Sequence, residues 1–257
     1  MLTLDQVPEG EAFGVSATLF VTYLRCPQQA LARLQGVYGR PSRASFKGAL
    51  AHRIIARHID HGAIDPDEFS MVCRQETGAN LNAQLAVVGL RPSEFSAVVE
   101  EVAELYERFA SLPLDGLEAS ELSFEDTVSE GVTLRGRIDA VFEGPDGTRI
   151  VDWKTGAHLG EDVAAQLGFY ALAWSKRTGV PPATTEAMSL VTGEKLVHEP
   201  TADDMARREH EVATMIGVLR AAMGAGRELD RTAGPHCRWC PLLESCTEGA
   251  AATAILD

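Results

Sequence analysis

The sequence predicts an α/β fold, a central mixed β-sheet flanked by helices, and three stretches carry that prediction. Residues 132–154 read as a β-hairpin. Val132, Leu134, Ile138, Val141 and Phe142 mark one arm, Gly144-Pro145-Asp146-Gly147 supplies turn chemistry, and Ile150 and Val151 centre the return arm. Residues 162–178 then read as an amphipathic helix with Leu167, Tyr170, Ala171 and Trp174 on its core face, ending at Gly179-Val180-Pro181-Pro182. A strand over 184–191, a turn at 192–195 and a short return at 196–198 follow.

The remaining elements fall on either side. Ser16 or Thr18 caps a first helix containing Leu19, Phe20, Tyr23 and Leu24, and Pro27 breaks the chain and restarts it as a helix toward Leu34. Residues 42–60 form a helix with Phe46, Leu50, Ile54 and Ile55 near helical spacing, and Gly48 lets a neighbour approach it closely. Asp65-Pro66-Asp67-Glu68 and Arg91-Pro92-Ser93-Glu94 open two further helices across 65–111. Residues 118–128 are a strand leading into the hairpin, and 201–224 a long last helix. The chain reads as one domain over 1–257: a helical N-terminal part (16–111), a core (117–224) and a cysteine-rich C-terminal clip (225–257).

Composition narrows the classes. An apolar fraction of 45% supports a sizeable core, and no apolar run reaches the length of a membrane span. The first residues lack a basic stretch followed by an apolar one, so the expected location is cytoplasmic. A net charge of −14 argues against indiscriminate nucleic-acid binding. Its distribution is uneven: from Arg25 to Arg57 there is no acidic residue, while Arg25, Arg33, Arg40, Arg43, Lys47, Arg53 and Arg57 are basic. This is a candidate phosphate-backbone track.

The chemistry concentrates on the hairpin. On a strand, residues i and i+2 share a face, so Asp152 and Lys154 point the same way, and pairing of the two arms can bring Asp139 beside them. Two carboxylates and an ammonium in a sheet are costly unless a divalent cation sits between the carboxylates. The ordered set Gly48-x-x-x-His52, Gly136-x-x-Asp139, Asp152-x-Lys154 and Gln166-x-x-x-Tyr170 resembles the PD-(D/E)XK nuclease superfamily, in particular its RecB-like branch. The resemblance implies a restriction-endonuclease-like core and Mg²⁺ or Mn²⁺ held by Asp139, Asp152, the carbonyl of Trp153 and His52. It also implies that Lys154 orients or deprotonates the attacking water, with Gln166 and Tyr170 positioning it or the DNA backbone. Glu121 is a secondary candidate at the metal, an edge carboxylate otherwise. Arg135 and Arg137 flank Gly136 within reach of phosphate.

The tail reads Cys237-x-x-Cys240-x5-Cys246, three thiols in one loop. Soft-metal sites usually want four ligands, and Cys26 is the best fourth because it too precedes proline. His236 is a substitute ligand, and Cys73 reads as a core thiol. One cysteine before the core and three after it resembles the iron–sulfur staple of AddB-type and CRISPR-associated RecB-like nucleases, which implies a [4Fe-4S] cluster; on ligand grounds zinc suits four thiolates equally.

The resemblance implies a metal-dependent DNA nuclease, an exonuclease on single-stranded ends, in repair or recombination or in CRISPR adaptation. Any helicase would have to be a partner, since no phosphate-binding G-x-x-x-x-G-K-[ST] loop is present. The competing reading is a non-catalytic, DNA-end-binding iron–sulfur subunit.

Overall fold

A computed structural model describes residues 1–7, 10 and 12–256. The sheet contains β1 (Phe13–Ser16), β2 (Leu117–Ser129), β3 (Val132–Gly144), β4 (Gly147–Lys154), β5 (Thr184–Ser189) and β6 (Lys195–His198). The helices are α1 (Ala17–Arg25), α2 (Pro27–Leu34), α3 (Arg43–His61), α4 (Phe69–Glu76), α5 (Asn82–Val88), α6 (Pro92–Ala110), α7 (Glu161–Thr178), α8 (Ala202–Ala225) and α9 (Thr247–Leu256). Together they make the mixed α/β, restriction-endonuclease-like architecture expected. Among the described residues no helix is long and apolar enough to cross a membrane.

Strand β3 is the axis of the sheet. Antiparallel β2 pairs along almost its whole length. Its other edge is shared: β1 pairs in parallel with Val132–Arg135, and β4 pairs antiparallel with Ala140–Gly144. Between them, residues 136–139 have no strand partner on that edge among the described residues, and the sheet forks. β4 then pairs in parallel with β5 and β5 antiparallel with β6.

Two cores cover the two faces. One joins Leu134, Ile138 and Ile150 to Phe20 of α1, Phe169 and Leu172 of α7 and Ile216 of α8. The other joins Val151 and Trp153 to Phe46, Leu50 and Ile54 of α3 and Val102 and Phe109 of α6. Alternation along β4 therefore aims Val151 and Trp153 at α3 and α6, and Ile150 toward α7.

Local chemistry sets the boundaries. The Ser16 hydroxyl accepts from Leu19 N at 3.2 Å and caps α1; Ser42 caps α3 through Ser45 N at 3.1 Å. Pro27 and Pro92 sit at the first position of α2 and α6, where a missing N–H costs nothing.

Three features differ from expectation. The four-residue β1 precedes the first helix. Residues 65–111 hold three helices rather than two, with a π-helical turn at Thr77–Leu81 between α4 and α5. In the tail, short 3-10 turns at Pro235–Trp239 and Leu243–Ser245 lead into α9, which the sequence reading did not anticipate.

Candidate functional site

The fork in the sheet becomes a cleft of about 430 Å³ lined by Ser16, His52, Arg137, Asp139, Asp152 and Lys154, among others. Because Ala140 pairs with Val151, the next residues of the two arms, Asp139 and Asp152, stand opposite each other where the ladder ends. Asp139 Oδ2 accepts the Trp153 N–H at 2.8 Å in place of a strand carbonyl. Both carboxylates are buried.

Asp152 and Lys154 face α7, and Gln166 ties them together. Lys154 Nζ donates to Gln166 Oε1 at 2.6 Å and lies 2.6 Å from Asp152 Oδ2. The Gln166 amide donates to Asp152 Oδ1 at 3.1 Å and to the Tyr170 hydroxyl at 3.0 Å. The i, i+4 spacing on α7 is what lets Gln166 and Tyr170 meet. Two chain segments can approach only because a glycine stands at the contact. A Cβ on Gly136 would fall 2.8 Å from the buried Phe124 ring, and one on Gly48 would fall 3.1 Å from Thr155 Oγ1. Gly48 thus lets the end of β4 lie against α3, one turn before His52.

His52 enters from α3 on the far side of Asp139. Its Nδ1 lies 3.5 Å from Asp139 Oδ1 and 4.0 Å from Glu121 Oε1. Glu121 reaches the cleft because β2 pairs Ser120 with Ala140 and Leu122 with Ile138, which sets it opposite Asp139. Its backbone is left-handed, with φ of 48°, a conformation costing a non-glycine residue about 1–3 kcal/mol. Its other oxygen takes the Arg137 guanidinium at 2.7 Å. Sequence reasoning gave Glu121 second rank because a strand pattern reveals neither a local twist nor a partner strand's register.

The electrostatics are those of crowded anions. Burial pushes Asp152 up to about 6; the neighbouring charge of Asp139 adds to this and Lys154 opposes it. Burial also raises Glu121, against the pull of Arg137. For His52, burial acts downward, but the combined field of Asp139, Asp152 and Glu121 overrides it and the net shift is upward. Burial raises Tyr170, which stays a neutral phenol.

Whether a cation fits can be tested on the donors. His52, Glu121 and Asp139 each offer a ligand atom, all within 4.8 Å of one another. His52 Nδ1 and Asp152 Oδ2 are buried without a hydrogen bond, although Lys154 is close to the latter in charge. Carboxylate oxygens gathered beside an imidazole nitrogen that has no hydrogen bond are the donor set of a hard or borderline divalent ion. Trp153 itself is buried, its ring edge-on to Phe109 at 5.5 Å.

The basic island is less bare than its sequence. Arg25 pairs with Asp162 at 2.5 Å, Arg43 and Lys47 with Glu101, and Arg53 with Glu76 at 3.4 Å. Arg33 lies over the Tyr38 ring. Among the described residues no carboxylate lies within ion-pair distance of Arg40 or Arg57. Only His52 of this stretch lines the cleft. A second depression of about 260 Å³ shares Thr18, Lys154 and Gln166 with it and runs to the Arg25–Asp162 pair.

Among the described residues, no set containing cysteines meets the 4.8 Å ligand-to-ligand distance that His52, Glu121 and Asp139 satisfy. The thiols are free, and Cys73 is fully buried as expected of a core thiol. Burial raises the pKa of Cys240, a backbone hydrogen bond from Leu242 opposes this, and Cys26, Cys237 and Cys246 add smaller upward contributions. The His236 ring lies within hydrogen-bond distance of the Thr232 carbonyl.

The family model of the PD-(D/E)XK nuclease superfamily matches residues 14–247. A curated relative, the Gene 69 protein of Mycobacterium phage D29, is 32% identical over 139 residues, 51% of this chain and 49% of its own. The chain thus spans about half the length of that relative. Among solved structures, the Eubacterium rectale protein named "Putative exonuclease" superposes with a TM-score of 0.55 at 13% identity, covering 84% of this chain and 83% of that one. At that identity the likeness is one of fold.

Proposed function

Since this chain belongs to the PD-(D/E)XK nuclease superfamily, whose members use divalent metals, we propose that it hydrolyses DNA phosphodiesters at the fork of its sheet, as an exonuclease on single-stranded ends. The observation that carries the reading is the convergence of Asp139, Asp152 and Lys154 on one cleft, with the ammonium clamped between Asp152 and Gln166.

Asp139, Asp152, His52 and Glu121 would hold Mg²⁺ or Mn²⁺, with the Trp153 carbonyl as a further oxygen donor. Bound there, the cation supplies positive charge against the phosphate and acidifies a water. The chain's own residues do the rest. Lys154 places an ammonium at the cleft, where it stabilises charge growing on the phosphate and orients the attacking water. Gln166 fixes Lys154 by accepting from it while donating to Asp152, so the amine has one direction available. Tyr170 accepts from the same amide and limits rotation of the Gln166 side chain. The second depression, lined by Lys154 and Gln166 as well as by Arg25 and Asp162, offers room beside the cleft for the end of a strand. A repair, recombination or adaptation context, with a helicase or CRISPR proteins as partners, belongs to the same proposal.

We further propose that Cys26, Cys237, Cys240 and Cys246 hold a [4Fe-4S] cluster. A tetrahedral zinc with Zn–S of about 2.3 Å draws its sulfurs to within about 4 Å of each other, whereas a cubane separates them more widely. Among the described residues no three of these thiols lie mutually within 4.8 Å, a spacing that favours the larger group. Protein purified without oxygen is expected to be brown and to contain iron and sulfide; colourless, zinc-loaded protein would overturn this reading.

The function is tested with labelled single-stranded DNA and Mn²⁺. Wild type degrades it from the ends, while Lys154→Ala and Asp152→Ala do not. Wild type that shifts DNA in a gel yet cuts nothing under any divalent metal would sink the proposal and leave a binding subunit.

A further inference from the structure

The chain buries its aromatic residues well, with one local exception. Trp153 is 4% exposed, whereas Trp239 is 72% and Tyr38 60% exposed. They are distant in sequence and adjacent in space. A Cβ on Gly39, the residue after Tyr38, would lie 3.2 Å from the Trp239 carbonyl, so the two backbone segments touch. Neither ring sits on a loose end. Trp239 closes a 3-10 turn whose Cys240 N–H donates to the Cys237 carbonyl at 3.0 Å. Tyr38 follows Val37, whose N–H donates to the Ala32 carbonyl at the end of α2 at 2.9 Å.

The charge around Tyr38 is positive. The Arg33 guanidinium lies over the Tyr38 ring, 5.0 Å from its centroid, and leaves the remainder of that ring to solvent. Arg40 is exposed two residues on. Both belong to the stretch from 25 to 57 that has no acidic residue in a chain of net charge −14. Exposed aromatic faces interleaved with arginine suit a polymer of alternating flat apolar rings and anions. Val37, 41% exposed beside Tyr38, adds a small apolar surface, while the arginines give the patch its charge and match it to an anionic polymer.

We infer that Tyr38 and Trp239 form a base-stacking platform for single-stranded DNA, outside the cleft, with Arg33 and Arg40 receiving the adjacent phosphates. The platform rests on the reading of the chain as a DNA-processing protein and extends it: the substrate strand is held by its bases at the cysteine-rich end, without sequence preference. Every base has a π-face, so stacking accepts all four.

The test measures binding of labelled oligothymidine by anisotropy in EDTA, where no cutting occurs. Tyr38→Ala and Trp239→Ala are each expected to weaken binding about tenfold, and Trp239→Phe, which keeps a ring, to retain most of it. An abasic oligonucleotide of equal length carries the same phosphates and is expected to bind wild type as weakly as oligothymidine binds Trp239→Ala. Hydrolysis of the small diester bis(p-nitrophenyl) phosphate is expected to be unchanged in all three variants, because it needs no platform. Equal binding of the abasic and base-bearing strands, or unchanged binding by both alanine variants, would overturn the inference. Wild type that binds in this pattern but cleaves neither substrate would leave the platform standing and remove the nuclease.

Discussion

The cleft and the cysteine tail are both ligand-rich, and they are held in opposite ways. At the cleft the chain satisfies most of its own donors and acceptors: Trp153 N–H serves Asp139, and Gln166 serves Asp152, Lys154 and Tyr170 at once. Hydrophobic cores press on the sheet from both sides. In the tail, Cys237 accepts one backbone N–H from Gly234 at 3.4 Å and Cys246 one from Gly249 at 3.3 Å, and the segments between are 3-10 turns. The first site is built by folding. The second is held by short turns, with Cys26 and Cys237 buried and Cys240 and Cys246 half-buried, and an ion or cluster there would supply stability rather than receive it.

The comparison is broken most directly by removing a charge from the cleft. Lys154→Ala or Asp152→Ala is expected to lower cleavage by on the order of 10³-fold, since each removes charge placed where the phosphate reacts. Folding survives, because the cores do not depend on either group. Loss of the folded state in both variants, seen by circular dichroism, would mean that the cleft is structural. The tail should behave the other way round. Cys26→Ser is expected to cost several kcal/mol of stability and all bound iron. Cys73→Ala, which only empties a small buried volume, costs about 1 kcal/mol and no iron. Equal melting temperatures for the two variants would remove the distinction drawn between the regions.

A smaller effect tests how the cleft is ordered. Gln166→Ala leaves Lys154 and Asp152 in place but unbound to each other through the amide, and is expected to cost about 10–100-fold in rate. Gln166→Glu places a second carboxylate beside Asp152 and is expected to be worse than alanine at high pH. A Gln166→Ala enzyme with the wild-type rate would show that Lys154 needs no guide.

Much of this was legible in the sequence, and the limits have physical causes. The β3–β4 hairpin and α7 could be read because their signals are local: alternation, a turn tetrapeptide, a helical stripe and a glycine stop. Asp139, Asp152 and Lys154 could be placed on one site because strand period is fixed at two. The short strand β1 could not, since four residues carry little periodicity and its pairing with β3 spans over a hundred positions. The partners of the basic island were equally hidden. Glu101, Glu76 and Asp162 come from helices far along the chain, and they turn a stripe of charge into a set of ion pairs. The π-helical turn after α4 was missed for a subtler reason. Thr77 and Gly78 look like a helix end, but the buried Thr77 hydroxyl donates to the Cys73 carbonyl at 2.8 Å and carries the chain on.

The mildest expected effect is one of pH, and it separates the two regions without mutation of the tail. Asp152 titrates at about 6 in the folded protein against an ordinary value of 3.8, mainly through burial and then through Asp139. A carboxyl whose folded pKa is raised favours the fold when protonated. That contribution is complete below about 4 and disappears as pH rises through about 6. His52, also shifted upward, acts in the same direction somewhat higher. Metal-free protein should therefore lose a few degrees of melting temperature between pH 4 and 7, and Asp152→Asn should lose less. With Mn²⁺ present the trend reverses, because the ion needs the ionised carboxylates and competes with their protons. Its affinity should fall about tenfold per pH unit below 6. A melting temperature that climbs over that range without metal, in wild type and Asp152→Asn alike, would mean that the two aspartates do not crowd each other, and the case for a cation between them would lose its electrostatic basis.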